Sequence, residues 1–560
     1  MNQLSTLKRN EYIQKASTGI FDIIIIGGGI TGAGIALDAA SRGLKVLLLE
    51  KYDFSNGTSS KSTKLIHGGL RYLKQLEFGL VSHVGRERAI INKLAPHLVK
   101  PVNMLLPIYK NGSLGKFSTA IALWVYDLLA NVNPDDKFKM LNNDKAILAE
   151  PLLNRNALEG AAIYKEYQTD DARLTIEVIK TAASYDAICL NYTQAEEFIY
   201  DDHPRKGKLV KGIIFRDLLN NKSLEVYAKK IINASGPWVD EIRRKDAAPG
   251  KKKLHLTKGI HIVVDKKRFP ISNAIYFDAH DKKRMIFAIP RNETVYIGTT
   301  DTDYFGNKDM INVSKNDVDY LLNAVNEMFP AAILKTSDIT SSWAGLRPLI
   351  HEEGKSPSEL SRKDEIFISD SGLISIAGGK LTGYRKMAEK VVNLIVKEIK
   401  KQNDINYPPC KTKTIKLSGA DFAIPIEEYI ERRAGEASQI GLLASDIKRL
   451  VDIYGTGTEK IIEIAFENAK KFKNAGDRLL FAEIYYCAEY EMITNASDFL
   501  IRRTGRLYFD RPALLSQYKY VNDVIAEVLN LTDPEKQDHL LFLEQMIQIT
   551  LNFEGYDQKF

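Results

Sequence analysis

The spacing of apolar residues changes character several times along this chain, and each change predicts an element. Ile23-Ile24-Ile25-Ile26 is an unbroken apolar run, the pattern of a strand buried on both faces in a parallel sheet. It leads into Gly27-Gly28-Gly29, after which residues 31–42 read as a helix and 45–49 as a second apolar strand. Between about 80 and 410, short β-branched runs (209–215, 230–233) alternate with helical patterns (318–328), which predicts a mixed α/β body. Asn406-Tyr407-Pro408-Pro409-Cys410 cannot continue a helix and reads as a linker. From 425 to 551 helix formers dominate, in segments such as IEEYIERRAGEA, ASDIKRLVDIYG and TEKIIEIAFENAKKF, so a separate, mainly helical unit is expected there.

A chain of 560 residues with 44% apolar content suffices for two or three packed domains. No run of about 18 apolar residues is present to span a bilayer. The nearest stretch, 120–130 (AIALWVYDLLA), is too short, carries Asp127, and is expected to be a buried helix, with an interfacial contact through Trp124 as the alternative. The N-terminal MNQLSTLKRNEYIQKASTGI lacks the apolar core of a secretory signal. Cys189, Cys410 and Cys487 are far apart and form no CxxC, which fits the reducing cytoplasm and excludes disulfide scaffolds and disulfide reductases. The formal charge of +7 is small for this length. It argues against dedicated nucleic-acid binding and is compatible with phosphorylated metabolites, or with a peripheral place on anionic membrane at the cytoplasmic face. Nine scattered histidines offer no metal-ligand cluster, and there is no G-x-S-x-G elbow.

Gly27-Gly28-Gly29-Ile30-Thr31-Gly32 matches G-x-G-x-x-G between a strand and a helix. Glycines there allow a tight turn, close approach to a pyrophosphate and tight helix–strand packing, with the phosphates against the positive helix N-terminus. Glu50 lies eighteen residues after Gly32, where a carboxylate can accept hydrogen bonds from ribose hydroxyls. The motif alone does not separate NAD from FAD. Three later segments favour FAD: the hydroxyl-rich run 58–64, with Thr58, Ser59, Ser62 and Thr63; the small-residue turn at Ser235-Gly236-Pro237; and Gly378-Gly379-Lys380-Leu381-Thr382, where backbone N–H groups at a helix start suit the pyrimidine edge of a flavin.

These residues resemble the FAD-dependent (aerobic) glycerol-3-phosphate dehydrogenases, within the glycine-oxidase/D-amino-acid-oxidase group of flavoproteins. The resemblance covers residues 21 to about 510 and is carried by TSSKSTKLIHGGLRYL (58–73), YQTDDARL, NASGPWVD, TKGIHIVV, IGTTDTDY, SWAGLRPLI, SRKDEIF and GGKLTGYRKMAE. It implies a two-dinucleotide-binding, Rossmann-like FAD domain built from 1–80, 155–245 and 352–405, a mixed-sheet substrate domain from 81–154 and 246–351, and the helical unit at 411–560. It implies non-covalent FAD held by the glycine loop (Gly27, Gly29, Ile30, Thr31, Gly32), Glu50, the 58–63 hydroxyls, Leu65, His67, Ser235, Gly236 and the 379–382 turn. It also implies oxidation of sn-glycerol 3-phosphate to dihydroxyacetone phosphate, with electrons passed to a quinone. An oxidase branch uses dioxygen and carries an extra insert in the substrate region; no extra segment is evident between Arg347 and Gly378, which favours the dehydrogenase.

A dianionic substrate calls for fixed cations, preferably guanidinium groups that bind two oxygens at once. By the resemblance, Arg71, Arg362 and Lys380 set the anionic pocket, and Arg347 holds the C2 oxygen. Loss of the hydroxyl proton calls for a base. His261 is the candidate, with Tyr72 as a hydrogen-bond partner and an arginine-stabilised alkoxide as the competing route. An amine oxidase of the same fold and a non-catalytic flavin-binding protein are the other readings. A homodimer is compatible with the sequence.

Overall fold

The computed structural model describes residues 2–68, 78–110, 112, 115–130, 134–204, 207–246, 253–279, 281, 284–350 and 364–553. Two sheets organise it. In the first, the strands Ile374–Gly378, Lys222–Asn233, Ile20–Ile26, Val46–Leu49 and Ile188–Leu190 lie side by side and parallel, with Asp364–Ile368 antiparallel at the edge. Six of the seven residues of Ile20–Ile26 are buried, as its unbroken apolar run requires for a central parallel strand. The register pairs Ile26 with both Asn233 and Leu49, and Asn233 with Ser375. The carboxyl ends of Lys222–Asn233, Ile20–Ile26, Val46–Leu49 and Ile188–Leu190 therefore stop on one line, while Ile374–Gly378 runs past it.

Helices Ile30–Ser41, Asp171–Ser184 and Tyr384–Asn403 pack together against this sheet. The predicted strands at 209–215 and 230–233 are longer than expected, Gly207–Asp217 and Lys222–Asn233, because they pair as an antiparallel hairpin. The second sheet has ten strands, with Leu254–Asp265 between Thr294–Gly298 and Ile339–Ile350. Leu158–Gln168 also belongs here, paired with Lys100–Tyr109. It falls within the stretch 155–245 expected in the cofactor domain; the crossover to the first sheet begins only with the helix Asp171–Ser184. An alternating burial pattern fits either sheet, so the pattern could not assign it.

Beyond the linker, helices from Ile426–Ala437 to Asp533–Ile549 form the third unit. It touches the second sheet through the Ser341 and Ser342 hydroxyls, which donate to the carbonyls of Leu507 and Thr550 at 3.0 and 2.7 Å. The expectation of a buried helix at 120–130 is corrected. In Lys116–Ala130, Leu123 and Tyr126 are buried, but Phe117, Ile121, Trp124 and Leu128 are exposed. Their spacing of four, three and four places them on one helical face. Among the described residues no helix is long and apolar enough to cross a membrane.

Two glycines give opposite expectations for the same substitution. A Cβ on Gly32 would lie 1.9 Å from the Gly27 carbonyl oxygen, whereas one on Gly435, exposed in Ile426–Ala437, would meet nothing within 4 Å. Gly32→Ala should therefore destabilise the apoprotein by about 1–3 kcal/mol. Gly435→Ala should stabilise it by about 0.5–1 kcal/mol, since only helix propensity changes. Denaturant melts of the two variants check both signs.

Candidate functional site

A cavity opens at the carboxyl edge of the parallel strands, where open α/β sheets place their ligands. Its walls include the glycine loop up to Thr31, residues from Leu49 to Ser62, the strand start 193–195, the turn 234–238 with the helix after it, Pro348, and residues 376–381. Gly27 adopts φ +114°, and a Cβ there would stand 2.6 Å from the Ala234 carbonyl oxygen, so the turns after two neighbouring strands touch backbone to backbone. The helix Ile30–Ser41 starts from Gly29 with no side-chain cap, leaving its positive end turned to the cavity. Ser59 sits at that end, its hydroxyl accepting the Ile30 N–H at 2.9 Å.

The carboxylate of Glu50 lies beside this loop. Its oxygens accept the N–H groups of Gly28 at 2.7 Å and Tyr52 at 2.9 Å. Burial raises its pKa above the usual carboxylate range, and those two N–H groups oppose the rise. On the next strand Asn233 organises the small-residue turn. Its Oδ1 accepts the Ser235 hydroxyl at 2.6 Å, while its Nδ2 donates to the carbonyl of Val239 and to Ser375 on the adjacent strand. A polar edge with an open helix terminus, a buried carboxylate and side-chain-free glycines is the chemistry a dinucleotide requires.

Part of the hydroxyl run joins the two sheets. Thr58 donates to the Leu346 carbonyl at 2.7 Å, and Trp343 Nε1 donates to the Ser62 carbonyl at 3.3 Å. Lys64 is buried and committed to Asp171 and to the Ser60 carbonyl. Thr63 meets His261, its hydroxyl 3.1 Å from Nε2. Leu65 is buried in a short strand pairing with Leu158–Gln168, and the His67 carbonyl accepts the Thr382 hydroxyl at 3.4 Å. Of the residues expected to hold the cofactor, the glycine-loop members Gly27, Gly29, Ile30 and Thr31, with Glu50, Thr58, Ser59, Ser62, Ser235, Gly236, Gly379, Lys380 and Leu381, line the cavity. Gly32 sits behind the loop, and Thr63, Leu65, His67 and Thr382 are outside the lining.

Arg347 lies next to Pro348, which lines the cavity. Its guanidinium donates to Thr299 Oγ1 at 2.9 Å and to the Thr300 carbonyl and Asp301 carboxylate at 3.0 Å. It covers Gly259, where a Cβ would stand 2.2 Å from Nη2. His261 is one turn of the pleat away on the same strand, stacked on Trp343 at 4.7 Å. Burial, then Arg347 and Lys64, push its pKa well below the usual histidine value, so the imidazole is neutral. Arg71, Tyr72 and Arg362 lie outside the described residues.

The sequence reading did not single out Asn56, Gln194 or Trp238, all of which line the cavity. Gln194 follows the strand Ile188–Leu190, and the helix–strand crossover leading to it was the available signal. Nor did it foresee Asn233, whose position at a strand end inside NASGP was a readable sign of a turn organiser.

A family model described as FAD dependent oxidoreductase matches residues 22–385, and one described as the C-terminal domain of alpha-glycerophosphate oxidase matches 410–536. A curated aerobic glycerol-3-phosphate dehydrogenase of Staphylococcus epidermidis is 47% identical over 536 residues, covering 95% of each chain. Its counterpart in Staphylococcus aureus is 45% identical over 547 residues, 97% of each. The crystal structure of the glycerol-3-phosphate dehydrogenase from Bacillus halodurans complexed with FAD superposes with a TM-score of 0.84 at 39% identity, covering 99% of this chain and 100% of that one. With the motif-bearing sheet, the cavity and the helical unit all inside these matches, the chain belongs to the FAD dependent oxidoreductases and, among them, to the aerobic glycerol-3-phosphate dehydrogenases.

Proposed function

We propose that this chain oxidises sn-glycerol 3-phosphate to dihydroxyacetone phosphate and passes the electrons to a quinone. The observation that carries the reading is the guanidinium of Arg347, held by three oxygen acceptors and next in the chain to the cavity-lining Pro348, in a chain 47% identical to a protein named for this substrate. When bound, FAD supplies a two-electron acceptor for the hydride that leaves C2. Glu50 would hold the ribose hydroxyls, the N-terminus of Ile30–Ser41 with Ser59 the pyrophosphate, and the 379–381 turn the flavin. Arg71, Arg362 and Lys380 would bind the substrate phosphate. The three-unit division is part of the same proposal, with Leu158–Gln168 in the substrate unit. Anaerobic addition of glycerol 3-phosphate should bleach the flavin, while glycerol and a D-amino acid should not. Reoxidation faster by a quinone than by air fits the dehydrogenase, and the reverse order would make the chain an oxidase.

For the hydroxyl proton, two routes compete: uptake by His261, with Tyr72 as partner, or loss to solvent water, with the resulting alkoxide held by Arg347. A fully buried imidazole with a depressed pKa is a weak base, and this favours the arginine route. Arg347→Lys should then lower kcat by about 100-fold with flavin still bound, as for loss of an oxyanion donor. His261→Gln should keep most of kcat across pH; a collapse of kcat would restore the histidine as base. The same variant has a stability signature. His261 is neutral when folded and must take up a proton on unfolding below its ordinary pKa, so its contribution is present above about pH 6.5 and lost as pH falls. His261→Gln should flatten that acid decline. His97, buried and pushed down to about 3, keeps its own share in both proteins.

The exposed face of Lys116–Ala130 supports peripheral attachment to membrane. Phe117, Ile121, Trp124 and Leu128 present an apolar stripe, and Lys116, Lys137 and Lys139, in and soon after this helix in the chain, are exposed. An exposed apolar helical face, with exposed lysines in the same stretch of chain, suits the headgroup boundary of an anionic bilayer. The protein should sediment with anionic vesicles at low salt and be released by high salt. Phe117→Ser with Trp124→Ser should abolish sedimentation without altering the flavin spectrum; wild-type protein left in the supernatant at low salt would sink the attachment.

A further inference from the structure

Cavity-lining residues in the segment 50–59 fall into two groups, Glu50-Lys51-Tyr52 and Asn56-Gly57-Thr58-Ser59. The three residues between them, Asp53, Phe54 and Ser55, are fully buried. Asp53 is gripped from the helical unit. Arg503 donates to its two oxygens at 2.7 and 2.9 Å, Arg502 Nε donates to it as well, and Asn191 adds a bond at 3.2 Å. Arg502 also reaches Asn56 Oδ1 at 3.3 Å and Asp498 at 2.8 Å. Both arginines belong to Asp498–Arg503, a widened π-type turn. Successive residues of an α-helix point about 100° apart, and the wider turn lets two consecutive arginines reach one carboxylate.

The grip continues into the glycine loop. Ser55, at φ +66°, donates its N–H to the Gly28 carbonyl at 3.0 Å, and Gly28 donates to Glu50. Burying an aspartate and two arginines together costs desolvation that well-packed apolar groups would not incur, so stability alone does not account for them. What planar guanidinium forks give in return is fixed geometry. We propose that Arg502 and Arg503 are positioning residues for the flavin cofactor: through Asp53 the helical unit holds the 50–59 wall, and with it Glu50 and the glycine loop, in the shape that binds FAD.

This rests on the placement of FAD in the cavity. The experiment is a titration of apoprotein with FAD, read by flavin fluorescence quenching and by visible circular dichroism, on wild type, Arg502→Lys, Asp53→Asn and Lys180→Met. Lys180 is the control. It pairs with Glu177 and Glu491 in the same buried charge cluster and has no described bond to residues 50–59. Loss of a charge-assisted bond at the wall should raise the FAD Kd by about ten- to a hundred-fold in Arg502→Lys and Asp53→Asn. Lys180→Met should leave it within about two-fold, even where its melting temperature falls as far. Unchanged affinity in all variants, or affinity that follows melting temperature in all of them, would overturn the proposal. A variant too unstable as apoprotein is read as holoenzyme on heating. Flavin release before loss of helical signal supports the inference, and release coincident with unfolding, as in the control, overturns it. Wild-type apoprotein that takes up no FAD would remove the cofactor placement itself.

Discussion

A side chain at Gly32 would run into the Gly27 carbonyl, and one at Gly27 would run into the Ala234 carbonyl. These two approaches bring the helix Ile30–Ser41 down onto its strand and bring two strand ends together at one edge. Every other feature of the cofactor site depends on that closeness. The helix terminus faces the cavity because the helix starts immediately after Gly29, and Glu50 can take the Gly28 N–H because the strands Ile20–Ile26 and Val46–Leu49 end in register. A wider loop with ordinary side chains would keep the sheet and lose the anion site.

Substrate chemistry needs a second surface at a fixed distance from the first. The 58–63 run supplies the junction through short polar bonds from Thr58, Ser62 and Thr63 to Leu346, Trp343 and His261. All three partners lie on the paired strands Leu254–Asp265 and Ile339–Ile350, and so does Arg347. The same run therefore also fixes the strand that carries Arg347. Thr58 and Thr63 make these bonds with their hydroxyls and Ser62 with its backbone carbonyl.

Local chemistry was legible in the sequence and nonlocal pairing was not. Gly27, Gly29, Ile30, Thr31, Glu50, Ser235-Gly236 and Gly379 could be named because a dinucleotide motif prescribes residue types at short spacing, and these residues line one cavity. The stretch 120–130 reads as a buried helix by its apolar content, with an interfacial contact through Trp124 as the alternative, and apolar content alone does not say which face is covered. Counted by angle, Phe117, Ile121, Trp124 and Leu128 form a stripe of their own. The sheet membership of Leu158–Gln168 rests on a partner some sixty residues earlier, and the grip on Asp53 spans 449 residues. Nothing in the neighbourhood of either sequence segment announces its partner.

The helical unit can be understood from what two sheets joined along one seam would otherwise do. Such a pair can hinge about its seam, and a cleft that opens by an ångström loses much of the advantage of holding reactants in place. Here the unit reaches behind both sheets at once. Arg502 and Arg503 hold Asp53 on the cofactor side, while Tyr508 packs on Trp343 at 5.2 Å and Leu507 accepts the Ser341 hydroxyl on the substrate side. These contacts come from one short stretch of chain, 502–508, so a displacement of either sheet is resisted by the same few residues that hold the other. The charges bonded to Asp53 supply direction, and the aromatic contact at Trp343, which carries the stacked His261, supplies area. A rigid brace across two sheets, and not a closing lid, is the geometry these contacts describe.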